Sequence, residues 1–289
     1  PGLWVATEFF RGLMMRGFGW GLGSSQAFHP YFVQFAGISG GAGLSFVLML
    51  GNYAGYQILK DRARSFFWFL LAFCVAGLWG YGGYARAVYG TAHQKNPVMR
   101  VCAVQPDIDY RDKQHQDHVG EILEGNIRLT QDCFFQNPDL IVWPETAVPA
   151  DLSIDLLWEQ RIMEMVRVSH VPLLTGLVVE RDGKFFNSAK LIIPSGGISG
   201  KAYQKQQLVP FSEYIPGGVW GERLAEKFKI FSYHFSAGEN NGILEFPGWG
   251  KIGVLICSED VIPRLAREEA VLGARLLFVL LNDGWFHAP

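Results

Sequence analysis

The sequence predicts an α/β domain attached to a helical membrane region, and three observations support this fold class. Residues 17–59 and 65–85 contain no Asp, Glu, Lys or Arg. Strand-like and helix-like segments alternate after Pro97. The formal charge is +5 over residues 1–96 and −7 over residues 97–289. Two halves with such different charge and hydropathy indicate two different surroundings, one of them apolar.

Each uncharged tract is long enough to span a membrane, because a helix of about 20 apolar residues crosses the hydrocarbon core. We place the spans in a membrane region over residues 1–90, near 3–22, 31–55 and 66–84. Glu8, Arg11 and Arg16 interrupt the first span. That segment therefore either lies at the interface or turns its charges towards a bundle interior. The alternative for the two uncharged tracts is a buried helical hairpin in a soluble protein.

The loop between the two uncharged spans is basic, with Lys60, Arg62 and Arg64. Short basic loops stay in the cytoplasm. The chain after about Tyr89 is therefore expected on the extracytoplasmic side of a multi-pass membrane protein. The first residue is Pro1 and no signal-peptide pattern follows, so we expect a fragment whose N-terminus is missing.

The second half of the chain has the pattern of a sheet layered with helices. Strands are predicted at 98–108, 139–146, 171–181, 185–195, 242–246, 251–259 and 275–283, and helices at 115–135, 153–169 and 261–273. Asp182 and Gly183 predict a turn that joins two of these strands as a hairpin. This mixture of alternating elements and a hairpin is typical of α/β domains.

The cysteines and the charged motifs exclude several classes of site. Four cysteines, at 74, 102, 133 and 257, have no C-x-x-C spacing and no pattern with the seven histidines, so no zinc site is expected. Nothing in the sequence pairs any two of the thiols. There is no G-x-x-x-x-G-K-[ST] motif and no basic-aromatic nucleic-acid pattern. We therefore expect no metal, no cofactor and no nucleic-acid partner.

Three residues of complementary chemistry follow or adjoin the predicted strands. Glu145 follows LIVWP, Cys257 follows KIGVLI, and Lys205 lies within AYQKQQLVPFSEYIP. A cysteine nucleophile needs a base for its proton and a cation for the developing charge. Sites in open α/β sheets gather at the carboxyl ends of strands, so this placement permits the three to meet. The alternative for Cys257 is a small buried thiol at the end of a strand.

The same residues lie in motifs that resemble a known family. WPE at 143–145, K-x-x-L-V-P-F-x-E-Y-x-P at 205–216 and L-I-C-x-E at 255–259 resemble the Glu-Lys-Cys constellation of the nitrilase superfamily. With the membrane tracts, LWVATEFFRG at 3–12 and LNDGWF at 281–286, the chain resembles the bacterial apolipoprotein N-acyltransferase family. The likeness covers nearly the whole chain.

The resemblance implies a nitrilase-like αββα sandwich over residues 97–289, attached to membrane helices in the bacterial inner membrane. It implies transfer of a fatty acyl chain from a phospholipid, through a cysteine thioester, to the N-terminal diacylglyceryl-cysteine amine of an apolipoprotein. The partners are then the phospholipid donor, the diacylated acceptor and the bilayer. Because the family continues beyond this point, we expect the domain to be truncated at its C-terminus.

Roles are carried over motif by motif. Glu145 is expected to be the general base, Lys205 to stabilise the tetrahedral intermediate and Cys257 to form the thioester. Glu213 and Glu259 match two further family acids, which either orient these groups or only satisfy nearby backbone.

Four other positions bear on the site. Asn282 and Trp285 belong to the last motif and are expected near the site, with simple packing as the alternative. Ser212 replaces a family glycine and would be strained if its φ were positive. Ser258 replaces a family aromatic residue and is expected to alter the wall of the acyl-chain pocket. The motifs do not specify a head group or an acyl length.

Two other functions are compatible with the same residues. The first is a membrane-tethered amidase that acts on a small amide or nitrile, and the long apolar tracts and the middle motif argue against it. The second is an inactive lipoprotein-binding protein. The presence of all three reacting residues argues against that interpretation.

Overall fold

The computed structural model describes residues 1–14, 20–61, 65–93, 98–108, 118–149, 156–196, 201–228 and 234–282. The chain divides into two compact units, Pro1–Val98 and Met99–Pro289. The first unit is helical, and the second combines helices with two β-sheets.

Two long helices dominate the N-terminal unit. The helices of this unit are α1 (Gly2–Met14), α2 (Ala36–Lys60) and α3 (Ser65–His93). The rings of Tyr53 and Phe67 lie 5.8 Å apart, and those of Phe35 and Tyr81 lie 6.3 Å apart, so α2 and α3 are antiparallel neighbours.

Two stretches of this unit, Phe32–Lys60 and Phe66–Gly90, are long and apolar enough to cross a membrane. Only 11% of the most apolar window of each is buried. The helices of a buried hairpin would have most of their apolar side chains covered. The exposure of these helices therefore weighs against a helical hairpin inside a soluble core.

The predicted span over residues 3–22 lies partly outside the described residues. Helix α1 ends at Met14 within the described residues, and Leu22–Gln26 form a short 3-10 helix. The Glu8 carboxylate accepts hydrogen bonds from the Trp4 indole and from the backbone N–H of Leu22, each at 2.7 Å. Glu8 is thus held against the start of the 3-10 helix.

The second unit contains two sheets. Its strands are β1 (Val101–Ala103), β2 (Leu140–Val142), β3 (Leu173–Arg181), β4 (Lys184–Ile192), β5 (Tyr203–Gln204), β6 (Ile243–Phe246), β7 (Gly250–Ile256) and β8 (Leu276–Leu280). Strands β1 to β5 form one sheet in sequence order, with β1, β2 and β3 parallel and β4 and β5 antiparallel additions. The other sheet has the order β6-β7-β8, with β7 and β8 parallel.

The two sheets face each other across a common hydrophobic core. The first sheet contributes Leu140, Leu174, Ala189 and Tyr203, and the second contributes Leu244, Phe246, Ile252, Val254, Ile256 and Leu280. Because side chains alternate along a strand, the neighbouring residues face outward to the helices. The buried Ile141, for example, lies in a separate core with α4 and α5.

Helices cover the outer faces of the sheets. These helices are α4 (Val119–Cys133) and α5 (Leu156–Ser169) on the first sheet and α7 (Pro263–Val271) on the second, and α6 (Gly218–Phe228) belongs to the connection between the sheets. The order helix, sheet, sheet, helix confirms the predicted αββα sandwich. The predicted strands and helices occur, most of them shorter than predicted, and β4 and β7 begin one residue earlier; α6 and β5 were not predicted.

A disulfide joins Cys102 and Cys133, whose Cα atoms lie 6.1 Å apart. The sequence patterns did not identify this pair. The parallel pairing of β1 with β2 and the packing of α4 on the same core bring together two residues that are 31 positions apart. No local pattern in the sequence carries that information.

Candidate active site

Glu145 lies in a turn at the carboxyl end of β2, with 7% of its surface exposed. Two hydrogen bonds to residues of α4 hold this turn in place. The indole of the buried Trp143 donates a hydrogen bond to Thr130 Oγ1 (2.8 Å), and Asn126 Nδ2 donates to the carbonyl of Ala147 (3.1 Å). The WPE motif therefore places an anchor, Trp143, two residues before the functional carboxylate.

Gly176 of β3 allows this turn to lie close to the sheet. A Cβ atom at Gly176 would come within 2.5 Å of the Pro144 carbonyl oxygen and within 2.8 Å of the Glu145 Cα. The Gly176 backbone N–H also donates to that carbonyl oxygen, at 3.3 Å. Any larger residue would push the turn, and with it the Glu145 carboxylate, away from β3.

Cys257 begins a short 3-10 helix, Cys257–Val261, directly after β7. Its φ is 52°, in the left-handed region that non-glycine residues rarely adopt. Such a conformation costs roughly 1 to 3 kcal/mol and is retained where the surrounding structure determines it. A sharp turn between a strand and a helix exposes a nucleophile at the strand end, and Cys257 is only partly buried.

Lys205 follows β5 and is almost fully buried, with 1% of its surface exposed. Its Nζ atom lies 2.9 Å from Glu213 Oε1 and 3.7 Å from Glu145 Oε1. The other Glu213 oxygen accepts a hydrogen bond from the Val209 backbone N–H at 2.8 Å. The middle motif thus folds back on itself so that its lysine and its glutamate form a buried ion pair.

Asn187 of β4 is a site residue that the sequence analysis did not predict. Its Nδ2 atom lies 2.8 Å from Glu145 Oε1 and 3.2 Å from Glu213 Oε1, and the side chain is buried. An asparagine inside a predicted strand is itself a signal, because Asn is depleted in strands and a buried amide needs partners.

Glu259 connects the strand end before Cys257 to the segment around Lys205. Its carboxylate accepts hydrogen bonds from the Tyr203 hydroxyl (2.8 Å) and from the backbone N–H groups of Gln206, Gln207 and Ile256 (2.8, 3.0 and 2.9 Å). Glu259 is completely buried. These contacts are compatible with both alternatives, the orienting role and the satisfaction of nearby backbone.

The charges around the thiol determine its protonation. Burial and the neighbouring Glu145 carboxylate raise the pKa of Cys257 to about 12, and Lys205 and the Ser258 backbone N–H oppose them only in part. Burial by itself would lower the pKa of Lys205, but Glu145 and Glu213 outweigh it and the pKa is raised. The site therefore holds a neutral thiol next to an ammonium, and the thiol needs a base to become a nucleophile.

Asn282 and Trp285 are the two predicted positions near the end of the chain. Asn282 is half-buried and lies two residues beyond β8, whose Leu280 pairs with Ile256 of β7. Asn282 and Cys257 therefore follow neighbouring parallel strands at the same edge. Trp285 lies outside the described residues.

The structure describes both serine replacements, Ser212 and Ser258. Ser212 does not have a positive φ among the described residues, whereas its neighbour Phe211 does, at 65°. The condition for strain at Ser212 is therefore not met, because the left-handed position of this turn falls one residue earlier. The Ser258 hydroxyl is buried and has no hydrogen-bond partner in the part of the chain that the structure describes.

Within the described residues, no group of three or more His, Cys, Asp and Glu side chains is arranged to hold a metal ion. A thiol, a carboxylate and a buried ammonium can form and resolve a covalent acyl intermediate.

Comparison with known proteins gives two family matches. Residues 100–288 match the carbon-nitrogen hydrolase family, and residues 1–54 match the apolipoprotein N-acyltransferase N-terminal domain. An apolipoprotein N-acyltransferase of Geobacter metallireducens is similar at 31% identity, over 99% of this chain and 56% of the relative. One from Chlamydia caviae is similar at 28% identity, over 99% of this chain and 58% of the relative.

Among solved structures, a carbon-nitrogen hydrolase from Helicobacter pylori G27 aligns with a TM-score of 0.46 and 18% identity, over 63% of this chain and 59% of that chain. The chain spans a little more than half the length of the two named acyltransferases.

Proposed function

The chain belongs to the carbon-nitrogen hydrolase family, and from that premise we propose that it carries the reacting residues of an apolipoprotein N-acyltransferase. The enzyme moves a fatty acyl chain from a phospholipid to Cys257 as a thioester, and then to the N-terminal diacylglyceryl-cysteine amine of an apolipoprotein. The similarity of residues 1–54 to the N-terminal domain of such enzymes favours this reaction over hydrolysis of a small soluble amide.

One observation carries the proposal. Cys257 lies in a left-handed turn, and the charges of Lys205, Glu145 and Glu213 act on its thiol. The Glu145 carboxylate lies 3.7 Å from the buried ammonium of Lys205. Nucleophile, base and oxyanion stabiliser are the three roles that acyl transfer through a thioester requires.

In the first half-reaction, Glu145 takes the proton of the Cys257 thiol while the sulfur attacks the ester carbonyl carbon of the phospholipid. Lys205 stabilises the negative charge that develops on the carbonyl oxygen. Collapse of the tetrahedral intermediate breaks the ester C–O bond. Glu145 returns its proton to the departing oxygen, and a lysophospholipid leaves.

In the second half-reaction, the α-amine of the lipoprotein attacks the thioester carbonyl carbon. Glu145 accepts a proton from the amine, the C–S bond breaks, and the sulfur of Cys257 regains a proton. A thioester suits this step because amines attack it readily. Anchoring in a bilayer suits the whole sequence, because donor and acceptor are both lipids held in the same membrane.

We assign the second unit to the extracytoplasmic side of the bacterial inner membrane. Lys60, at the end of α2, belongs to the basic loop that is expected to remain in the cytoplasm. The disulfide between Cys102 and Cys133 supports this orientation, since disulfides form and persist in oxidising compartments.

Intact mass spectrometry of the protein, mixed in detergent with one defined phospholipid, tests the proposal. We expect a mass gain of one acyl chain that hydroxylamine removes and that the Cys257→Ala variant does not show. Cys74→Ala is the matched control, because Cys74 is the other free cysteine and its loss should leave the adduct unchanged. Absence of an adduct in the folded protein, or release of ammonia from small amides, would refute acyl transfer.

A further inference from the structure

An aromatic cluster lies at one end of the two long helices of the N-terminal unit. The rings of Tyr31 and Trp79 are stacked with their centres 4.6 Å apart. His29 meets Trp79 edge-on at 5.5 Å and lies 4.0 Å from the ring of Phe32. Residues 29–32 thus pack on one face of α3.

Three residues of one face of α3 contact this segment or allow its close approach. Trp79, Gly82 and Arg86 lie on one face of α3, because residues three and four apart share a helix face. A Cβ atom at Gly82 would overlap the Tyr31 carbonyl, so the absence of a side chain there allows the close contact. Beyond Gly82, the guanidinium of Arg86 lies over the Tyr31 ring, 5.3 Å from its centre.

The cluster has the position of a membrane interface. Arg86 is 21 residues beyond Ser65 at the start of α3, which corresponds to about 31 Å along a helix and so to about one hydrocarbon thickness. Lys60 lies at the opposite end of the antiparallel pair. Aromatic side chains gather at both membrane interfaces, and Tyr31, whose ring lies beneath Arg86, fits the interface opposite the basic loop.

Among the described residues of the N-terminal unit, no acid forms an ion pair with Arg86. Residues 1–96 contain only two acids, Glu8 and Asp61. Glu8 bonds to Trp4 and Leu22, and Asp61 follows the far end of α2. An exposed guanidinium at an interface therefore draws its counter-ion from outside the unit.

We propose that Arg86, supported on the Tyr31–Trp79 stack, binds the phosphate of a phospholipid in the leaflet at this end of α3. A guanidinium that stacks on a ring keeps its N–H groups free in its own plane, and these match two oxygens of a phosphate. The site recognises the group that every phospholipid donor shares and that a diacylglycerol lacks. The inference rests on the acyl transfer proposed above and adds a binding site for the phospholipid that donates the acyl chain.

The test measures lipid retention, not acyl transfer. The protein carrying Cys257→Ala, which cannot form the thioester, is purified in a non-ionic detergent and mixed with dioleoyl phosphatidylethanolamine or dioleoylglycerol. Native mass spectrometry then gives the fraction that retains one lipid. Arg86→Gln should reduce retention of the phospholipid about five-fold, the effect of one cation near a membrane surface, and should not change retention of dioleoylglycerol.

Lys60→Gln is the matched control, since it removes a cation from the other end of the helix pair and should leave retention unchanged. Tyr31→Leu, which removes the ring beneath the guanidinium, should have an intermediate effect. Equal retention of the phospholipid by the parent and Arg86→Gln, or equal retention of both lipids by the parent, would overturn the proposal. If the protein with Cys257 forms no acyl adduct but Arg86→Gln still reduces phospholipid retention, the acyl transfer is refuted and the phosphate site is not.

Discussion

Asn187 donates its side-chain amide to Glu145, with Nδ2 2.8 Å from Oε1. The same nitrogen lies 3.2 Å from Glu213 Oε1, so one buried amide on β4 joins the two carboxylates that flank Lys205. The ammonium and the amide together hold both acids in place, and neither carboxylate depends on the lysine alone.

The first prediction concerns this amide. Asn187→Ala should slow formation of the acyl adduct on Cys257 about 10- to 100-fold, because a hydrogen bond to a charged group contributes about 1.5 to 3 kcal/mol. Asn187→Asp should be slower still, since it adds a third negative charge beside the ammonium. The rate is measured by intact mass against time. Asn52→Ala, whose amide donates to the Leu48 carbonyl within α2, should match the parent protein.

The second prediction concerns the pKa of the thiol. The Glu145 charge contributes to raising the pKa of Cys257 to about 12, so Glu145→Gln should lower that pKa and increase the thiolate fraction at pH 8. Alkylation of Cys257 by iodoacetamide should then be faster in Glu145→Gln than in the parent, although acyl transfer is lost. Peptide mass spectrometry over pH 7 to 10 gives the rates, with Cys74 as the internal reference. Slower alkylation in the variant would contradict this electrostatic account.

The third prediction concerns the turn that carries Glu145. Gly176→Ala places a Cβ atom against Pro144 and Glu145, and overpacking of this kind costs about 1 to 3 kcal/mol. The melting temperature should fall, and adduct formation should fall by more than the loss of folded protein explains. Gly125→Ala, at a helical position with open space, should keep full activity and should not lower the melting temperature. Normal activity in Gly176→Ala would show that the turn tolerates displacement.

The fourth prediction concerns the disulfide. It closes a loop of 31 residues, so its reduction should destabilise the second unit by about 3 to 4 kcal/mol. Thermal unfolding with and without dithiothreitol measures the effect. The variant Cys102→Ser/Cys133→Ser should melt at the lower temperature in both conditions. If the parent protein does not respond to the reductant, the bond does not contribute to stability.

Much of the fold could be predicted because its signals are local. The apolar tracts that become α2 and α3, and the Asp182–Gly183 turn between β3 and β4, follow from consecutive residues. The edges of the elements were less predictable. Strand β5 has two residues, and β4 pairs with it, so it exists only because a neighbouring strand lies beside it.

The candidate site was predictable where a motif contains the chemistry. Glu145, Lys205 and Cys257 could be named because WPE, the middle motif and L-I-C-x-E each contain a group that acyl transfer needs. Asn187 and Tyr203 were not named. Each is a single polar residue within a strand, and its partner lies 42 or 56 positions away.

The sequence by itself thus determined the two surroundings of the chain, the order of its reacting residues and the chemistry that they can perform. The tertiary structure alone decided the pairing of Cys102 with Cys133, the bridge that Asn187 makes between two carboxylates and the need for glycine at position 176. These features depend on strand register and on the packing of helices against sheets. Contacts between distant residues arise only when the whole sandwich forms, and no short segment of sequence encodes them.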